Sequence, residues 1–291
     1  MLFKTVRRLS TMISNERNFK AALIQMTVGT DRDKNLENAK KLIGEAARNG
    51  AKLVVLPECF NSPYGTKFFS QYAETIPEGQ SSQVLSKAAK DNQVFLIGGS
   101  IPEKGINEKY YNTSTTWNPN GELVAKFRKM HLFDIDIPGG ITFKESDILH
   151  GGNDLATFEM GKTKIGVGIC YDLRFEELAK LYRMKGCEIL VYPGAFNMTT
   201  GPMHWEILQR GRALDNQVYV MACSPARNQQ GYIAFGHSQI TNPWGKVIAQ
   251  AGHEEEIIYG NIDLGECDKI RQQIPIWDQR RTDIYDTQHK Q

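Results

Sequence analysis

The chain has 291 residues, 41% of them hydrophobic and 23% charged, which suffices for a sizeable core in one large domain or two modest ones. Its 35 basic residues nearly balance 33 acidic ones without a long basic run, so the composition argues against dedicated nucleic-acid binding. No apolar stretch approaches a membrane span, and five scattered cysteines without a Cys-x-x-Cys pair favour free thiols in a reducing compartment over disulfides or a zinc site.

The N-terminus differs from the rest of the chain, and we divide the sequence into an extension at 1–19 and a folded domain at 20–291. Residues 1–20 contain five Lys or Arg against a single acid, Glu16, which is typical of an amphipathic organellar presequence or of a basic disordered tail. Met12 offers a second start that would leave a cytosolic form. The sequence therefore predicts a cytoplasmic location, a mitochondrial one, or both.

The first half of the chain alternates apolar runs with helical stripes and then forms a hairpin. Asn49-Gly50 ends the first helix, and Pro57 stops the second strand because proline cannot continue a ladder of hydrogen bonds. Asn118-Pro-Asn-Gly121 is a strong hairpin signal. In order, the predicted elements are a strand at 21–26, a helix at 36–49, a strand at 52–56, a helix at 80–91, and strands at 94–99, 112–117 and 123–128.

The second half begins with a stretch at 134–153 that is rich in Gly, Pro and acids, which we interpret as a long surface loop containing Glu145. Hairpins in the middle of the chain and strand-helix alternation outside it predict mixed sheets in a single domain. The elements predicted after the loop are a hairpin of 155–158 and 163–169, a helix, a strand at 189–192, a helix at 203–214, strands at 218–222, 236–241, 246–250 and 257–262, and a helix from 264.

Cys170 follows the apolar run 164–169, which is typical of a buried strand, and precedes a helical stripe that begins at Phe175. A thiol at this corner faces the edge of the sheet where open α/β proteins bind ligands, and nearby helix amides are expected to favour its thiolate. The alternative is a small buried core residue, since free cysteine is among the most buried side chains.

Two further reactive groups end predicted strands, Glu58 after 52–56 and Lys129 after 123–128. Taken singly, each is best explained as an exposed charge. Together with Cys170 they supply the base, the cation and the nucleophile that acyl transfer requires. A Cys-His protease is the nearest rival, because His131 and His237 are available, but no Cys-Gly-x-Cys-Trp context surrounds the thiol.

Metal and nucleotide sites fit the sequence less well. The six histidines are dispersed without a His-x-x-x-His pair, so no metal is expected. The glycine pairs at 98–99, 139–140 and 151–152 lack the Walker lysine and the Rossmann spacing, so they are better interpreted as turns.

The segments around these three residues carry a resemblance to a known family. Leu56-Pro-Glu-Cys-Phe60, Phe127-Arg-Lys-Met-His-Leu132 and Gly168-Ile-Cys-Tyr-Asp-Leu-Arg174 resemble the nitrilase (carbon-nitrogen hydrolase) superfamily, whose members use a Glu-Lys-Cys triad. The resemblance runs from about 20 to 286 and is closest to the omega-amidase branch. Further similar segments are 61–69, 131–138, 192–197, 215–220, 224–228 and 270–275.

The resemblance implies a four-layer αββα sandwich of two mixed sheets, pairing into at least a homodimer through the helix after the nucleophile, and no cofactor. By the family pattern, Glu58 is the general base toward Cys170, and Lys129 with the Tyr171 amide binds the oxyanion. Glu145 matches a fourth acidic residue that helps to position the amide and tunes the lysine. The expected chemistry is amide hydrolysis through a thioester, with release of ammonia.

The same resemblance implies a small 2-oxo acid amide as substrate, 2-oxoglutaramate or 2-oxosuccinamate, with no nucleic-acid or membrane partner. The far carboxylate of such a substrate needs a cation or a cluster of donors. Arg174 is the first candidate, with Thr199 and Tyr64 as further ones, and a salt bridge inside the corner is the alternative role for Arg174. Deaminated glutathione, a carbamoyl substrate, and a catalytically idle binding scaffold are the alternative functions.

Overall fold

A computed structural model of the chain describes residues 17–227 and 232–290. The extension predicted at 1–19, with its possible start at Met12, lies almost entirely outside the described residues. Arg17 is described, and its guanidinium binds Glu188 at 3.0 Å and Asp268 at 2.9 Å. Within the described ranges, no helix combines the length and the apolar character that crossing a bilayer requires.

Local signals explain where the elements begin and end. The first helix starts after Asp31, whose side chain accepts a hydrogen bond from the Lys34 amide, and it ends before Gly50, which has a φ of 86°. In chain order the structure contains β1 (Asn18–Gln25), α1 (Arg32–Arg48), β2 (Ala51–Val55), α2 (Thr66–Tyr72), α3 (Gln80–Asn92), β3 (Phe95–Ile97), β4 (Ile101–Lys104), β5 (Tyr110–Trp117), β6 (Leu123–Arg128), β7 (Asp134–Asp136), β8 (Thr142–Lys144), β9 (Ala156–Met160), β10 (Thr163–Val167), α4 (Glu176–Met184), β11 (Ile189–Pro193), α5 (Gly201–Asn216), β12 (Tyr219–Cys223), β13 (Gln239–Thr241), β14 (Val247–Gln250), β15 (Glu256–Asp263) and α6 (Gly265–Gln273).

The strands form two mixed sheets and a small ribbon. The first sheet has the order β15-β1-β2-β3-β5-β4 with β6 beside β5, and the second has the order β14-β13-β12-β11-β10-β9. The strands β1, β2 and β3 are parallel to one another, as are β10, β11 and β12, whereas the remaining pairs are antiparallel. β7 and β8 form the ribbon.

Alternation along the strands generates the layers. Leu53 and Val55 of the first sheet pack in one core with Ile165 and Val167 of the second, so the two sheets lie face to face. Val54 points the other way and packs against α1 and α3. α4 and α5 cover the far face of the second sheet. The four-layer αββα sandwich and the mixed sheets are therefore confirmed.

The structure corrects the sequence prediction in three places. The stretch 134–153, predicted as a surface loop, contains the β7-β8 ribbon and a 3-10 turn at Glu145–Asp147, of which Glu145 is buried. α2 was not predicted because seven residues are too short for a clear apolar period. β4 was not predicted because Pro102 weakens the strand signal, and proline is tolerated here because β4 is an edge strand.

One buried carboxylate, Glu103 of β4, binds side chains of β5 and β6 at the edge of the first sheet. It accepts hydrogen bonds from Arg128 at 2.7 and 2.8 Å, from Lys126 at 2.7 Å and from Thr113 at 2.6 Å. Burial alone would raise the pKa of Glu103, but these donors outweigh it and lower the pKa from 4.5 to about 2. Ionised Glu103 therefore holds β4, β5 and β6 together.

We expect Glu103→Gln to lower the free energy of unfolding by about 3 kcal/mol at pH 7, because the pKa of Glu103 is lowered from 4.5 to about 2 in the folded protein. Because the folded-state pKa is depressed, this stabilisation is present above pH 4.5 and is lost as the pH falls toward 2. Urea unfolding at pH 7 and pH 3 measures it, with the exposed Glu37→Gln as the control. An equal loss at both pH values would contradict the assignment.

Candidate active site

Glu58 is the third residue after β2, where the ends of β2 and β3 approach closely. Gly99 has a φ of 58°, and a Cβ there would lie 2.0 Å from the Pro57 carbonyl oxygen, so only glycine fits beside the segment that carries Glu58. The Glu58 side chain is buried. One carboxylate oxygen accepts the Asn112 side-chain amide at 2.8 Å. The strand end and this contact aim Glu58 into the interior.

Lys129 directly follows β6 and is fully buried. Its ammonium lies 3.0 Å from a carboxylate oxygen of Glu58 and 2.9 Å from one of Glu145. Burial alone would lower the pKa of Lys129, but the two carboxylates raise it well above its usual value. Lys129 is therefore a charged ammonium held between two acids.

Glu145 is fully buried at the start of its 3-10 turn. One carboxylate oxygen accepts the Phe133 amide at 2.7 Å, and the other accepts the Tyr64 hydroxyl at 2.7 Å and the Lys129 ammonium at 3.0 Å. These hydrogen-bond donors compensate for the free-energy cost of burying the Glu145 carboxylate. The sequence did not predict this burial.

Cys170 opens the turn after β10 with a φ of 49°, a left-handed conformation that is uncommon for a residue with a side chain. Gly194 approaches it so closely that a Cβ there would lie 3.1 Å from the Cys170 Cα. The Ala195 amide donates to the Cys170 Sγ at 3.4 Å and to the second carboxylate oxygen of Glu58 at 2.9 Å. One backbone amide thus joins the thiol to the acid.

The expectation that helix amides would favour a Cys170 thiolate is wrong. The thiol lies in a five-residue 3-10 turn, and burial, reinforced by Glu58, raises its pKa well above the usual value. Burial likewise raises the pKa of Glu58, which Lys129 and a hydrogen bond with Cys170 only partly offset. The resting site therefore contains a neutral thiol that needs a base to ionise it.

A cavity of about 210 Å³ opens beside this cluster. Its wall includes Glu58 and Ala195, both of which contact Cys170, so the cavity lies beside the buried thiol, which does not itself line the wall. Tyr64 and Lys67 also line it, and Lys67 is the one lysine or arginine among the described lining residues. The site is therefore small and largely apolar, with a cation at its rim.

The three residues predicted to bind the substrate have different surroundings in the structure. Tyr64 lines the cavity, but its hydroxyl is engaged by Glu145. Arg174 is half-buried against the Phe196 ring, with its guanidinium carbon 4.7 Å from the ring centre, and no carboxylate of the described residues lies within 4 Å of it. The internal salt bridge considered for Arg174 is therefore not found in the described part of the chain. Thr199 is exposed before α5 and does not line the cavity.

Sequence reasoning missed several groups that build the site. Asn112 and Ala195 bind Glu58, Tyr232 donates its hydroxyl to the Ala195 carbonyl at 2.6 Å, and Lys67 lines the cavity. Ala195 follows the end of a predicted strand, which is the same signal that identified Glu58. Its place in the site was therefore predictable from the sequence. The role of the Tyr171 amide, which immediately follows the thiol, stays a prediction.

The sequence pattern of carbon-nitrogen hydrolases matches residues 20–272. The chain belongs to the carbon-nitrogen hydrolase family. The omega-amidase NIT2 of Homo sapiens is 55% identical over 274 residues, which cover 94% of this chain and 99% of that protein. The omega-amidase NIT2 of Danio rerio is 58% identical, over 92% of this chain and 96% of that protein.

Solved structures agree with the fold of this carbon-nitrogen hydrolase. Nit3 of Saccharomyces cerevisiae, a member of branch 10 of the nitrilase superfamily, matches with a TM-score of 0.85 at 46% identity, covering 91% of this chain and 97% of that one. The predicted membership of the nitrilase superfamily is confirmed.

We expect Cys170→Ala to abolish amide turnover and to leave the fold intact, because alanine removes the sulfur and retains the Cβ. The buried Cys187→Ala, which removes a thiol elsewhere, is the matched control. Ammonia release and thermal unfolding measure the two effects. Near-normal ammonia release from Cys170→Ala would reject the nucleophile.

Proposed function

We propose that the protein is an omega-amidase that hydrolyses the side-chain amide of 2-oxoglutaramate or 2-oxosuccinamate to the 2-oxo dicarboxylic acid and ammonia. The observation that carries the proposal is the convergence of Glu58, Lys129, Glu145 and Cys170 in one buried cluster beside a small cavity. The names of the relatives at 55% and 58% identity support the choice of substrate class.

The first half-reaction forms a thioester. Glu58 takes the proton of the Cys170 thiol as the sulfur attacks the amide carbon, and the Lys129 ammonium and the Tyr171 amide stabilise the developing oxyanion. Glu58 then returns the proton to the nitrogen, the carbon-nitrogen bond breaks, and ammonia leaves. Because the resting thiol is neutral, this proton transfer is a required step.

The second half-reaction releases the acid. Glu58 accepts a proton from water, the oxygen of which attacks the thioester carbon. The carbon-sulfur bond then breaks, and Glu58 returns the proton to the sulfur, which restores the thiol. Glu145 keeps the ammonium of Lys129 in place throughout, since it binds that group at 2.9 Å. Loss of one oxyanion donor costs on the order of a hundredfold or more in such reactions.

Charge explains why a further cation is needed for this substrate. Two carboxylates and one ammonium give the resting cluster a net negative charge, so the cluster itself does not attract a 2-oxo acid. Two cations are available: Lys67 lies on the cavity wall, and Arg174 does not line the cavity but interacts electrostatically with Cys170 and has no carboxylate partner in the described residues. We assign the contact with the far carboxylate to Arg174, because a guanidinium matches a carboxylate in a bidentate pair.

A hydrolysis assay over five substrates tests the proposal, with ammonia as the measured product for four of them and the released amine for deaminated glutathione, which is a secondary amide. The panel contains 2-oxoglutaramate, 2-oxosuccinamate, a carbamoyl amino acid, deaminated glutathione and pentanamide, a neutral amide with the five-carbon chain of 2-oxoglutaramate. We expect the highest kcat/KM with one of the two 2-oxo acid amides. Preference for the carbamoyl compound or for deaminated glutathione would select another amidase activity, and no turnover at all would favour an idle scaffold.

Arg174→Gln in the same assay should lower kcat/KM for the 2-oxo acid amide about tenfold or more, as expected for a lost charge-assisted contact, and leave pentanamide hydrolysis unchanged. Lys67→Gln should cost only a few-fold, with an effect that fades at high salt, because Lys67 is exposed. Lys40→Gln on α1 is the control. An equal loss for both substrates would instead make Arg174 a structural residue.

We also propose that the protein is a homodimer that pairs through α4, with help from the neighbouring α5. Met184 of α4 and Ile207 of α5 are 50% and 66% exposed, so this face presents apolar surface that a second copy would cover. We expect sedimentation analysis to give a dimer and Ile207→Glu to give a monomer. A monomeric unmodified protein would refute the pairing.

A further inference from the structure

A buried carboxylate outside the proposed catalytic set joins the segments that carry Lys129 and Cys170. Asp172 is fully buried, and one of its oxygens accepts the Ile169 amide at 2.9 Å. Its other oxygen lies 3.0 Å from the His131 amide nitrogen and 2.7 Å from the His131 Nδ1. Because a carboxylate oxygen accepts this hydrogen bond, the imidazole carries a proton on Nδ1.

The Asp172–His131 pair connects the two segments that carry Lys129 and Cys170. His131 lies two residues after Lys129, and Asp172 lies two residues after Cys170. Within the described residues, the hydrogen bonds that join segment 129–133 to segment 168–175 all run to Asp172. Glu58 contacts both the ammonium and the thiol through its side chain, whereas the hydrogen bonds between the two segments that carry these groups converge on the single carboxylate of Asp172.

Aromatic contacts hold the same two segments in one orientation. The His131 ring stacks on the Phe175 ring with 3.6 Å between centres and 9° between planes. Phe133 meets Tyr171 edge to face at 5.3 Å. With its Nδ1 held by Asp172 and its face against Phe175, His131 has little freedom to turn.

The backbone at the thiol shows why such support is needed. Cys170 adopts a left-handed φ of 49°, which persists in folded proteins only where surrounding contacts over-determine it. Asp172 supplies such contacts on both sides, because it binds the Ile169 amide just before the thiol and belongs to the turn just after it. Reaction geometry is demanding, since a shift of about 1 Å can cost on the order of a hundredfold in rate.

We propose that the Asp172–His131 pair is a positioning device that sets the Cys170 sulfur against Lys129 and Glu58 without touching the substrate. The proposal rests on the proposed function, in which Cys170 is the nucleophile. Neither member lines the cavity, which agrees with an indirect role. His131 therefore serves the thiol through Asp172 and not as the base of a Cys-His protease.

Two substitutions at His131 separate the hydrogen bond from the ring. The side-chain amide nitrogen of His131→Asn can take the place of Nδ1 and donate to Asp172, whereas His131→Leu keeps the bulk and loses the donor. We expect His131→Leu to lower kcat ten- to a hundredfold with KM within about twofold of the wild type, and His131→Asn to retain most of kcat. His253→Leu, at an exposed site, is the control.

Alkylation of Cys170 by iodoacetamide over a range of pH gives a second readout that needs no turnover. We expect the midpoint of its pH profile to shift in His131→Leu and to match the wild type in His131→Asn, because a displaced thiol has a different distance to Glu58 and Lys129. Asp172→Asn should shift it further. If that variant does not fold, the two variants at His131 still decide the question. The His131 side chain is 33% exposed, so its substitution disturbs the core less.

A wild-type kcat and alkylation profile in His131→Leu would overturn the proposal. Equal impairment of His131→Leu and His131→Asn would also overturn it, because the loss would then come from the stacked ring. If the wild type hydrolyses no amide of the panel, the proposed function fails, while the alkylation profiles still test the positioning of the thiol.

Discussion

The buried ammonium of Lys129 between two carboxylates is the interaction on which the site depends. A charge without a partner in such a place costs several kcal/mol, so the lysine and its two acids must be brought together by the fold or not be buried at all. Glu58 comes from the end of β2, Lys129 from the end of β6 and Glu145 from the turn after β8. Two sheet elements and a ribbon therefore have to close around one cation.

That electrostatic arrangement also determines how the thiol works. Burial, reinforced by the nearby carboxylate of Glu58, raises the pKa of Cys170, so the sulfur is protonated at rest and has a proton acceptor beside it. In the proposed mechanism, charge develops only when the amide is bound, and it then forms next to Lys129. Burial and Glu58 disfavour a resting thiolate, whereas Glu58 as the base and Lys129 as the cation would favour the transition state in the proposed mechanism, which is the condition for acceleration.

The sequence predicted the parts of this site that follow from strand ends, and it missed the parts that depend on long-range packing. Glu58, Lys129 and Cys170 each follow a run that is apolar or hairpin-forming, whereas Glu145 was included only through the family resemblance and was placed on the surface. Its burial depends on the Phe133 amide and the Tyr64 hydroxyl, which no local pattern reveals. The resting thiol was mispredicted because desolvation outweighs the amides of a short turn.

The register of β6 determines which of its side chains bind Glu103 at the sheet edge and which enter the candidate active site. Successive side chains of a strand point to opposite faces, so Lys126 and Arg128 point to the sheet edge, where both bind Glu103, while Phe127 and Lys129 point inward. A slip of one residue would send the guanidinium of Arg128 into the site and leave Glu103 without its fork-shaped partner. The carboxylate at the edge therefore selects the one register that delivers an ammonium to the thiol.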